Sequence, residues 1–201
     1  MMQDKGRGRL VIVSAPSGAG KSTIVRALLN NDLGLQFSVS ACNRPPRARE
    51  QDGREYYFLS TEDFLRRVAA GDFLEWEEVY PGRYYGTLRS EVERILAAGR
   101  HVIFDVDVLG GMSIKREYGE RALAVYIMPP SLAVLEERLR KRSTETEEEL
   151  AVRLARAGEE LRQASAFDLQ VVNEHLQTAI REVGTAVALF LETGQIPPRH
   201  D

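Results

Sequence analysis

The chain has 201 residues, enough for one domain with a substantial core or for a core that carries a small inserted subdomain. Hydrophobic residues make up 43% and charged residues 28%, as in ordinary globular proteins, and the formal net charge of -3 argues against nucleic-acid binding. Because Cys42 is the only cysteine, the composition excludes an internal disulfide and a multi-cysteine zinc site.

The N-terminal segment and the apolar runs carry no targeting or membrane signal. MMQDKGRGR is basic, but no apolar stretch of signal-peptide length follows it. No segment approaches the roughly 20 apolar residues that span a bilayer. We therefore expect a cytoplasmic protein with no membrane partner.

The first apolar run, LVIV at 10–13, leads directly into the glycine-rich segment SAPSGAGKST. This segment ends as a phosphate-binding P-loop does, but Ala15 stands where the pattern G-x-x-x-x-G-K-[ST] has its first glycine. That position needs a small residue, and alanine is small enough unless the backbone there requires a positive φ angle. The amphipathic segment IVRALL follows and completes a strand–turn–helix setting.

This loop predicts a site for the phosphates of a nucleotide. Backbone N–H groups in such a turn point inward, and the N-terminus of the helix adds partial positive charge. Lys21 would reach the β and γ phosphates, and the Ser22 hydroxyl would ligate Mg²⁺. The alternative is a turn that uses its glycines only for shape. The loop residues expected at the site are Ala15, Pro16, Ser17, Gly18, Ala19, Gly20, Lys21 and Ser22.

Further along the chain, apolar runs alternate with helical patterns. The runs are nearly continuous, and most are rich in β-branched residues, as in strands buried on both faces of a parallel sheet. Predicted strands follow at 101–104, 122–128 and 169–172, and predicted helices at 21–29, 131–141, 147–162 and 177–191. This alternation predicts an α/β fold in which helices flank a parallel sheet.

Residues 37–87 differ from the rest of the chain. Their segments FSVSAC, REYYFL and FLEWEEV are short, half-polar and aromatic, and turn signals such as RPPR and DGRE separate them. Ser60 and Asp63 fit a helix-capping arrangement, and Gly71 is expected to end that helix. We predict a small mixed β insertion in a core formed by 1–36 and 88–201.

Two aspartates follow the second predicted core strand. Asp105 ends the strand, as a Walker-B carboxylate does, and Asp107 lies two residues later. The two side chains would face the same side if the strand continued. One would then hold Mg²⁺ through water while the other touches the nucleoside, and the sequence leaves open which does which. Alternatively, one of them only caps a helix that begins near Val108.

Five segments in this order carry a specific resemblance: FSVSACNRPPRAREQDGREYYF, FLEWEEVYPGRYYGT, HVIFDVD, RLRKRSTETEEELAVRL and VVN. Together they resemble the guanylate kinase family, from about residue 9 to the C-terminal helix. The resemblance implies a P-loop fold with a GMP-binding insertion and a helical lid at about 137–150. It also implies an enzyme that phosphorylates GMP, and dGMP, with ATP as co-substrate and Mg²⁺ as cofactor.

The resemblance assigns the GMP site residue by residue. Arginine forks and tyrosine hydroxyls suit a phosphate group, and the residues implied for it are Arg44, Arg47, Tyr56 and Tyr85. The residues implied for guanine are Ser40, Glu75 and Thr87, and Asp105 and Asp107 complete the GMP set. Guanine presents N1–H and N2–H₂ as neighbouring donors that adenine lacks, so Glu75 is expected to select the base. The alternatives are a solvated basic turn for the arginines and a surface glutamate for Glu75. Trp76 and Val79 are expected in the core.

The polar stretch at 138–154 resembles the family lid. Arg138 and Arg142 would lie along the adenine and phosphates of ATP, Arg153 would reach the transferring phosphoryl group, and Asn173 would seat the adenine. The residues with an expected catalytic role are Lys21, Arg142 and Arg153. Phosphoryl transfer needs mainly positioning and positive charge, and a phosphate acceptor needs no general base. A solvated, salt-bridged helix is the alternative.

Some positions depart from the family, and some functions compete with kinase activity. Cys42-Asn43 replaces two threonines, Arg49 and Ser143 replace glycines, and Leu109 replaces a glutamine.

The rivals are a non-catalytic binding module of a scaffold protein and a kinase of similar core acting on another phosphate, such as a ribose bisphosphate. The P-loop lysine and lid arginines favour an enzyme, and the guanine-reading residues favour GMP. We expect no nucleic-acid partner and no obligate protein partner.

Overall fold

Five parallel strands form the central sheet of this computed structural model, which describes residues 8–142 and 147–198. Four further strands form a second, mixed sheet. The strands, in chain order, are β1 Leu10–Ser14, β2 Leu35–Phe37, β3 Ala41–Cys42, β4 Tyr57–Phe58, β5 Phe73–Tyr80, β6 Arg83–Leu88, β7 His101–Asp105, β8 Ala122–Met128 and β9 Leu169–Val172. The α-helices are α1 Lys21–Leu29, α2 Thr61–Ala69, α3 Arg89–Ala97, α4 Val108–Tyr118, α5 Leu132–Arg142, α6 Glu147–Arg162 and α7 Leu176–Thr193.

The central sheet has the order β2-β7-β1-β8-β9, and all its pairs are parallel. This architecture confirms the predicted α/β class, and β1, β7, β8 and β9 match the four apolar runs. The edge strand β2 was not predicted. Only its last residue falls within the segment FSVSAC, which the sequence pattern assigned as a whole to the insertion. Phe37 belongs to β2 and Ala41 begins β3, so this segment contributes to both sheets.

The core lies on both faces of the central sheet because successive residues of β1 point in opposite directions. On one face, Val11 and Val13 pack with α1 and α7. On the other, Leu10 and Ile12 pack with α3, α4 and Phe167. These four apolar side chains of β1 are fully buried, and each such burial stabilises the fold by about 1.5–3 kcal/mol. No helix in the described ranges combines the length and apolarity needed to cross a membrane.

The second sheet has the order β4-β3-β6-β5 and its own small core. Phe64 of α2 stacks between Phe73 and Tyr84, with ring centroids 4.4 and 5.6 Å apart. The predicted cap of α2 is confirmed, since the Ser60 hydroxyl accepts a hydrogen bond from the backbone N–H of residue 63. The expectation that Trp76 is a core residue was wrong. Its side chain is 45% exposed because β5 is the edge strand, and its ring meets the Tyr84 ring edge-on with centroids 6.2 Å apart.

The dipeptide that departs from the family, Cys42-Asn43, anchors the second sheet. Cys42 is fully buried, and burial raises the pKa of its thiol. The Asn43 amide nitrogen donates to the Thr61 hydroxyl at 2.9 Å and to the Gly82 carbonyl at 2.8 Å. Its oxygen accepts from the Tyr84 backbone N–H at 2.8 Å. One buried side chain therefore ties β3 to α2 and to the β5–β6 turn.

A buried carboxylate links the two sheets. Glu91, in the first turn of α3, is only 3% exposed. It accepts hydrogen bonds from the Tyr57 hydroxyl at 2.9 Å and from the Val39 backbone N–H at 3.4 Å, and it pairs with Arg94. Val39 lies between β2 and β3, where the chain passes from one sheet to the other. The second sheet is thus fixed to the core beside that crossing.

The Asn43 network predicts a stability effect. Replacing Asn43→Ala leaves the Tyr84 N–H and the Gly82 carbonyl without their partner, which costs about 1–3 kcal/mol in the free energy of unfolding. Urea unfolding followed by circular dichroism measures this loss. Asn31→Ala, at an exposed position, is the control and should change stability little. Equal stability of the two variants would contradict the role assigned to Asn43.

Candidate active site

The P-loop connects β1 to α1 in a geometry that tolerates alanine at position 15. Gly18 and Gly20 have φ angles of 92° and 99°, which disfavour residues with side chains. Ala15 is buried in the core, and no described residue other than glycine has a positive φ angle. Arg49, the other described replacement of a family glycine, likewise has no positive φ angle. The N-terminus of α1 opens at Gly20 and presents its N–H groups to the loop.

Asp105 joins the P-loop to the end of β7. Its carboxylate is 2.7 Å from the Lys21 ammonium and accepts a hydrogen bond from the Ser22 hydroxyl at 2.8 Å. Lys21 also donates to the Val106 carbonyl at 2.7 Å. These contacts arise because β1 and β7 are parallel neighbours with Val13 opposite Asp105.

The oxygens of Ser22 and Asp105 fit magnesium. Mg²⁺ prefers oxygen ligands and usually takes only one or two from the protein, with phosphates and waters supplying the rest. Within 8–142 and 147–198 no group of three or more His, Cys, Asp or Glu side chains could hold a metal ion. The site therefore suits a metal that arrives with a phosphate ligand.

A cavity of about 450 Å³ lies over the P-loop. Its size is that of a small-molecule site. It brings together loop residues, Asp105 and side chains from both the second sheet and α6, including Tyr85 and Arg153. Val79 also lines it, so the expectation that Val79 is a core residue was wrong. The cavity thus contains the predicted P-loop lysine and one of the two predicted catalytic arginines.

An adjoining cavity of about 150 Å³ extends toward the second sheet. It is lined by most of the residues predicted for GMP: Ser40, Tyr56, Glu75, Tyr85, Asp105 and Asp107. Glu75 and Thr87 are paired across β5 and β6, and the buried Thr87 hydroxyl donates to the Glu75 carboxylate at 2.6 Å. Burial, with a smaller contribution from Asp107, raises the pKa of Glu75 to about 7.

Asp107 does not continue the strand, so Asp105 and Asp107 face different partners. The strand ends at Asp105, and Asp107 caps α4 by accepting a hydrogen bond from the Gly110 N–H at 2.8 Å. Asp107 is therefore the aspartate that caps α4, and it also lines both cavities. Gly110 lies against Glu75: a Cβ atom there would be 2.8 Å from the Glu75 Oε2 atom. The absence of a side chain at position 110 leaves room for that carboxylate.

Arg44 is held by a residue that the sequence did not single out. Its guanidinium forms a two-pronged pair with Glu50, at 2.5 and 2.7 Å, and lies over the Tyr56 ring at 5.0 Å. Glu50 also accepts from the Arg47 backbone N–H at 2.8 Å. The Arg44 fork lowers the pKa of Glu50 to about 2. The Arg47 side chain is exposed.

Asn173 and Arg138 meet at the other side of the P-loop, beside a cavity of about 350 Å³. The buried Asn173 amide donates to the Ala19 carbonyl at 2.7 Å, and Arg138 donates to the Asn173 carbonyl at 2.9 Å. A Cβ atom at Gly20 would collide with the Asn173 amide. The positions predicted for adenine therefore lie together against the loop.

Part of the predicted lid lies outside the described residues. Ser143 and the Arg142 side chain both lie outside the described part of the chain. The two flanking helices α5 and α6 pack through Leu135, Leu139 and Leu150. Leu139 lies against Gly18, so α5 contacts the P-loop directly.

The sequence reasoning missed Glu50, which pairs with Arg44, and three polar residues that line these cavities: Glu77, Arg156 and Glu160. Two of them had a usable signal. Glu77 is two residues from Glu75 on one strand, so both side chains face the same side. Arg156 is three residues from Arg153 on one helix, so these also share a face. The Arg44–Glu50 pair had no such signal, because it forms across an irregular loop.

Comparisons with known proteins agree with this geometry. The family model described as guanylate kinase matches residues 7–189. The chain belongs to the guanylate kinase family. A guanylate kinase of Porphyromonas gingivalis is 53% identical over 184 residues, covering 91% of this chain and 98% of that relative. One of Symbiobacterium thermophilum is 47% identical over 182 residues, covering 90% and 85%.

A solved structure extends the agreement to the fold. The crystal structure of guanylate kinase from Anaplasma phagocytophilum has a TM-score of 0.73 and 28% identity, covering 92% of this chain and 87% of that chain. Guanylate kinases are nucleoside monophosphate kinases, so the predicted family, enzyme class and function are confirmed. The roles of the individual site residues stay predictions.

The close approach of Gly110 to Glu75 predicts that adding a methyl group at position 110 lowers enzyme activity without lowering the stability of the fold. Gly110→Ala should lower the kcat/KM of the guanylate kinase reaction by about tenfold to a hundredfold, because its methyl group displaces the Glu75 carboxylate. Stability should not fall, since alanine favours a helix over glycine by up to about 1 kcal/mol. Gly158→Ala is the matched control, because a Cβ atom there meets nothing within 4 Å. Activity equal to that of the control would disprove the steric argument.

Proposed function

We propose that the two adjoining cavities bind ATP and GMP together and that the γ-phosphoryl group of ATP passes directly to the phosphate of GMP. The products are ADP and GDP. One observation carries this proposal: the P-loop cavity and the Glu75 cavity share the lining residues Val79, Tyr85, Asp105 and Asp107. A phosphate held on the second sheet therefore faces a phosphate held on the loop.

The donor end binds ATP through the P-loop. The loop N–H groups and the α1 N-terminus hold the phosphates, and adenine lies beside Asn173 and Arg138. Lys21 exchanges part of its contact with Asp105 for the γ-phosphate oxygens. Ser22, and Asp105 through water, would hold Mg²⁺, which would supply positive charge to neutralise the phosphates.

The acceptor end binds GMP through the second sheet. Glu75 accepts from the guanine N1–H and N2–H₂ groups, and Ser40 and Thr87 lie beside it. Arg44, already oriented by Glu50, uses its remaining N–H groups for the phosphate. Arg47, Tyr56 and Tyr85 supply further donors, since arginine forks and hydroxyls match phosphate oxygens. This leaves a phosphate oxygen of GMP pointing at the loop.

The chemical step is an in-line transfer. An oxygen of the GMP phosphate forms a bond to the γ-phosphorus as the bond from that phosphorus to the β–γ bridging oxygen breaks. No proton needs to be removed from the acceptor, because a phosphate oxygen is already ionised. Lys21, Arg153 and Arg142 supply positive charge to the transferring group, the main protein contribution in such reactions.

Several finer assignments belong to this proposal. The division into a core of 1–36 and 88–201, a GMP-binding insertion of 37–87 and a lid at about 137–150 rests on the sequence. The two sheets support the insertion, except that Phe37 lies in β2 of the central sheet and Leu88 in β6 of the second sheet. Use of dGMP, a cytoplasmic location, and the absence of nucleic-acid, membrane and obligate protein partners rest on the sequence arguments alone.

Removal of the P-loop ammonium tests the donor end. Lys21→Ala should lower kcat by about 10²–10³, because one charged stabiliser of the transferring group is lost. Turnover is measured as ADP release with ATP and GMP, and a thermal unfolding curve checks that the variant is folded. Near-normal turnover of a folded variant would contradict the assignment of Lys21.

Base choice tests the acceptor end. The unmodified chain should release ADP with GMP but much less with AMP, UMP or dTMP, because a buried carboxylate without donors is costly. Glu75→Gln should lower kcat/KM for GMP and raise that for AMP relative to it. Arg44→Lys is the control, and should weaken both nucleotides about equally, since it contacts only the shared phosphate. An unchanged GMP-to-AMP ratio in Glu75→Gln would show that another residue reads the base.

The same carboxylate predicts a pH dependence. Because the pKa of Glu75 is raised to about 7, a growing fraction is protonated as the pH falls through that value. A protonated carboxyl has lost acceptor capacity for guanine, so kcat/KM for GMP should fall toward low pH and level off above about 8. Glu75→Gln should lose this inflection, and its persistence would assign the titration to another group.

A further inference from the structure

Arg156 of α6 meets three carboxylates that belong to three different elements. Its Nη2 atom is 3.6 Å from the Glu77 Oε1 atom on β5 and 3.8 Å from the Asp107 Oδ2 atom at the start of α4. Its Nε atom donates to Glu160, one turn further along α6, at 2.9 Å. One guanidinium therefore connects the second sheet, the central core and the helix that follows the lid.

The helix that carries Arg156 also carries Arg153. The two residues are three positions apart, which places them on one helix face, and both line the cavity over the P-loop. Ala157 and Leu150 of the same helix pack against α5, which in turn contacts the loop. A shift of α6 relative to β5 would therefore move Arg153 relative to the phosphates.

Glu77 connects Arg156 to the guanine end. It alternates with Glu75 on β5, and both line the smaller cavity. The Glu77 Oε2 atom is buried without a hydrogen-bond partner, and the Asp107 carboxyl group beside Glu77 raises the pKa of that side chain. Arg156 contacts Glu77 from α6 and so contributes to the position of β5 relative to that helix.

We propose that Arg156 is a positioning residue that ties the guanine-binding strand β5 to the helix carrying Arg153, so that binding of one nucleotide improves binding of the other. The proposal deepens the function proposed above and rests on it. GMP seated on Glu75 fixes β5, and Arg156 transmits that position to α6 and Arg153. ATP bound under α5 and α6 fixes the same contacts from the other side. We call the contacts of Arg156 with Glu77, Asp107 and Glu160 the Arg156 bridge.

The bridge should act on coupling more than on stability. Arg156 is 42% exposed and Glu77 27% exposed, and ion pairs with such access to water contribute little to folding. A guanidinium shared by carboxylates of three elements is best satisfied in one relative arrangement of those elements. A preference for one arrangement appears as a coupling free energy between the two ligands.

Calorimetric titration of GMP with and without a non-hydrolysable ATP analogue measures this coupling. The unmodified chain should bind GMP more tightly when the analogue is present. Arg156→Met, which keeps the aliphatic stem, should reduce that coupling factor by about fivefold. The coupling factor is the ratio of the GMP affinities with and without the analogue in the same variant, so a change in affinity for GMP alone does not enter it. Arg156→Lys, which keeps the charge, should recover part of the coupling.

A double-mutant cycle with Glu77→Gln tests the route. If Arg156 acts through Glu77, the coupling lost in the double variant should not exceed that lost in Arg156→Met. Arg162→Met is the matched control on the same helix, where Arg162 pairs with Glu159 through an exposed i,i+3 contact. It should couple the nucleotides as the unmodified chain does.

Several outcomes would overturn the bridge. They are no coupling in the unmodified chain, an unchanged factor in Arg156→Met, additive losses in the double variant, or an equal loss in Arg162→Met. Failure of the proposed function is a different result, seen as no ADP release from ATP and GMP in the unmodified chain. If the unmodified chain phosphorylates GMP but any of the four outcomes is seen, the proposed function stands and the coupling role of Arg156 is rejected.

Discussion

The ion pair between Lys21 and Asp105 is the contact on which the arrangement of this site depends. It joins two neighbouring parallel strands at their carboxyl ends, where the P-loop leaves one and the chain toward α4 leaves the other. Ser22 adds a hydrogen bond to the same carboxylate. Because both strands are buried on both faces, the register of the central sheet sets these distances. The proposed phosphate and metal sites therefore rest on the same two strands of the central sheet.

The second sheet holds the Glu75 carboxyl group in a site that is largely shielded from water. Glu75 has one hydrogen bond from Thr87 and lies against Gly110, and its raised pKa records the cost of burial. A ligand with two adjacent donors relieves that cost, and a ligand without them does not. With the role proposed for Glu75, base selectivity would follow from the cost of this buried carboxylate as much as from attraction to guanine.

Local patterns predicted the parts of the fold whose signal is local. The bounds of α1 and α6, the four long core strands and the cap at Ser60 matched, since each depends on periodicity or on neighbouring residues. The P-loop, the GMP-lining residues and the family were also predicted, although residue roles stay untested. The exposure of Trp76 and the Arg44–Glu50 pair were not predicted, and the sequence left open which of the two aspartates caps α4. Each depends on the path of the chain in space, which short-range patterns do not encode.

The Glu91 contacts bear on how this architecture can be divided. The buried carboxylate that satisfies the Tyr57 hydroxyl and the Val39 N–H belongs to α3, outside the second sheet. An excised segment containing only that sheet would lose this acceptor, and its two ends would no longer be held together by β2 and α3. We therefore regard the second sheet as an insertion whose folding depends on the core that carries it. Transplanting it onto another P-loop core would require that core to supply an equivalent of Glu91.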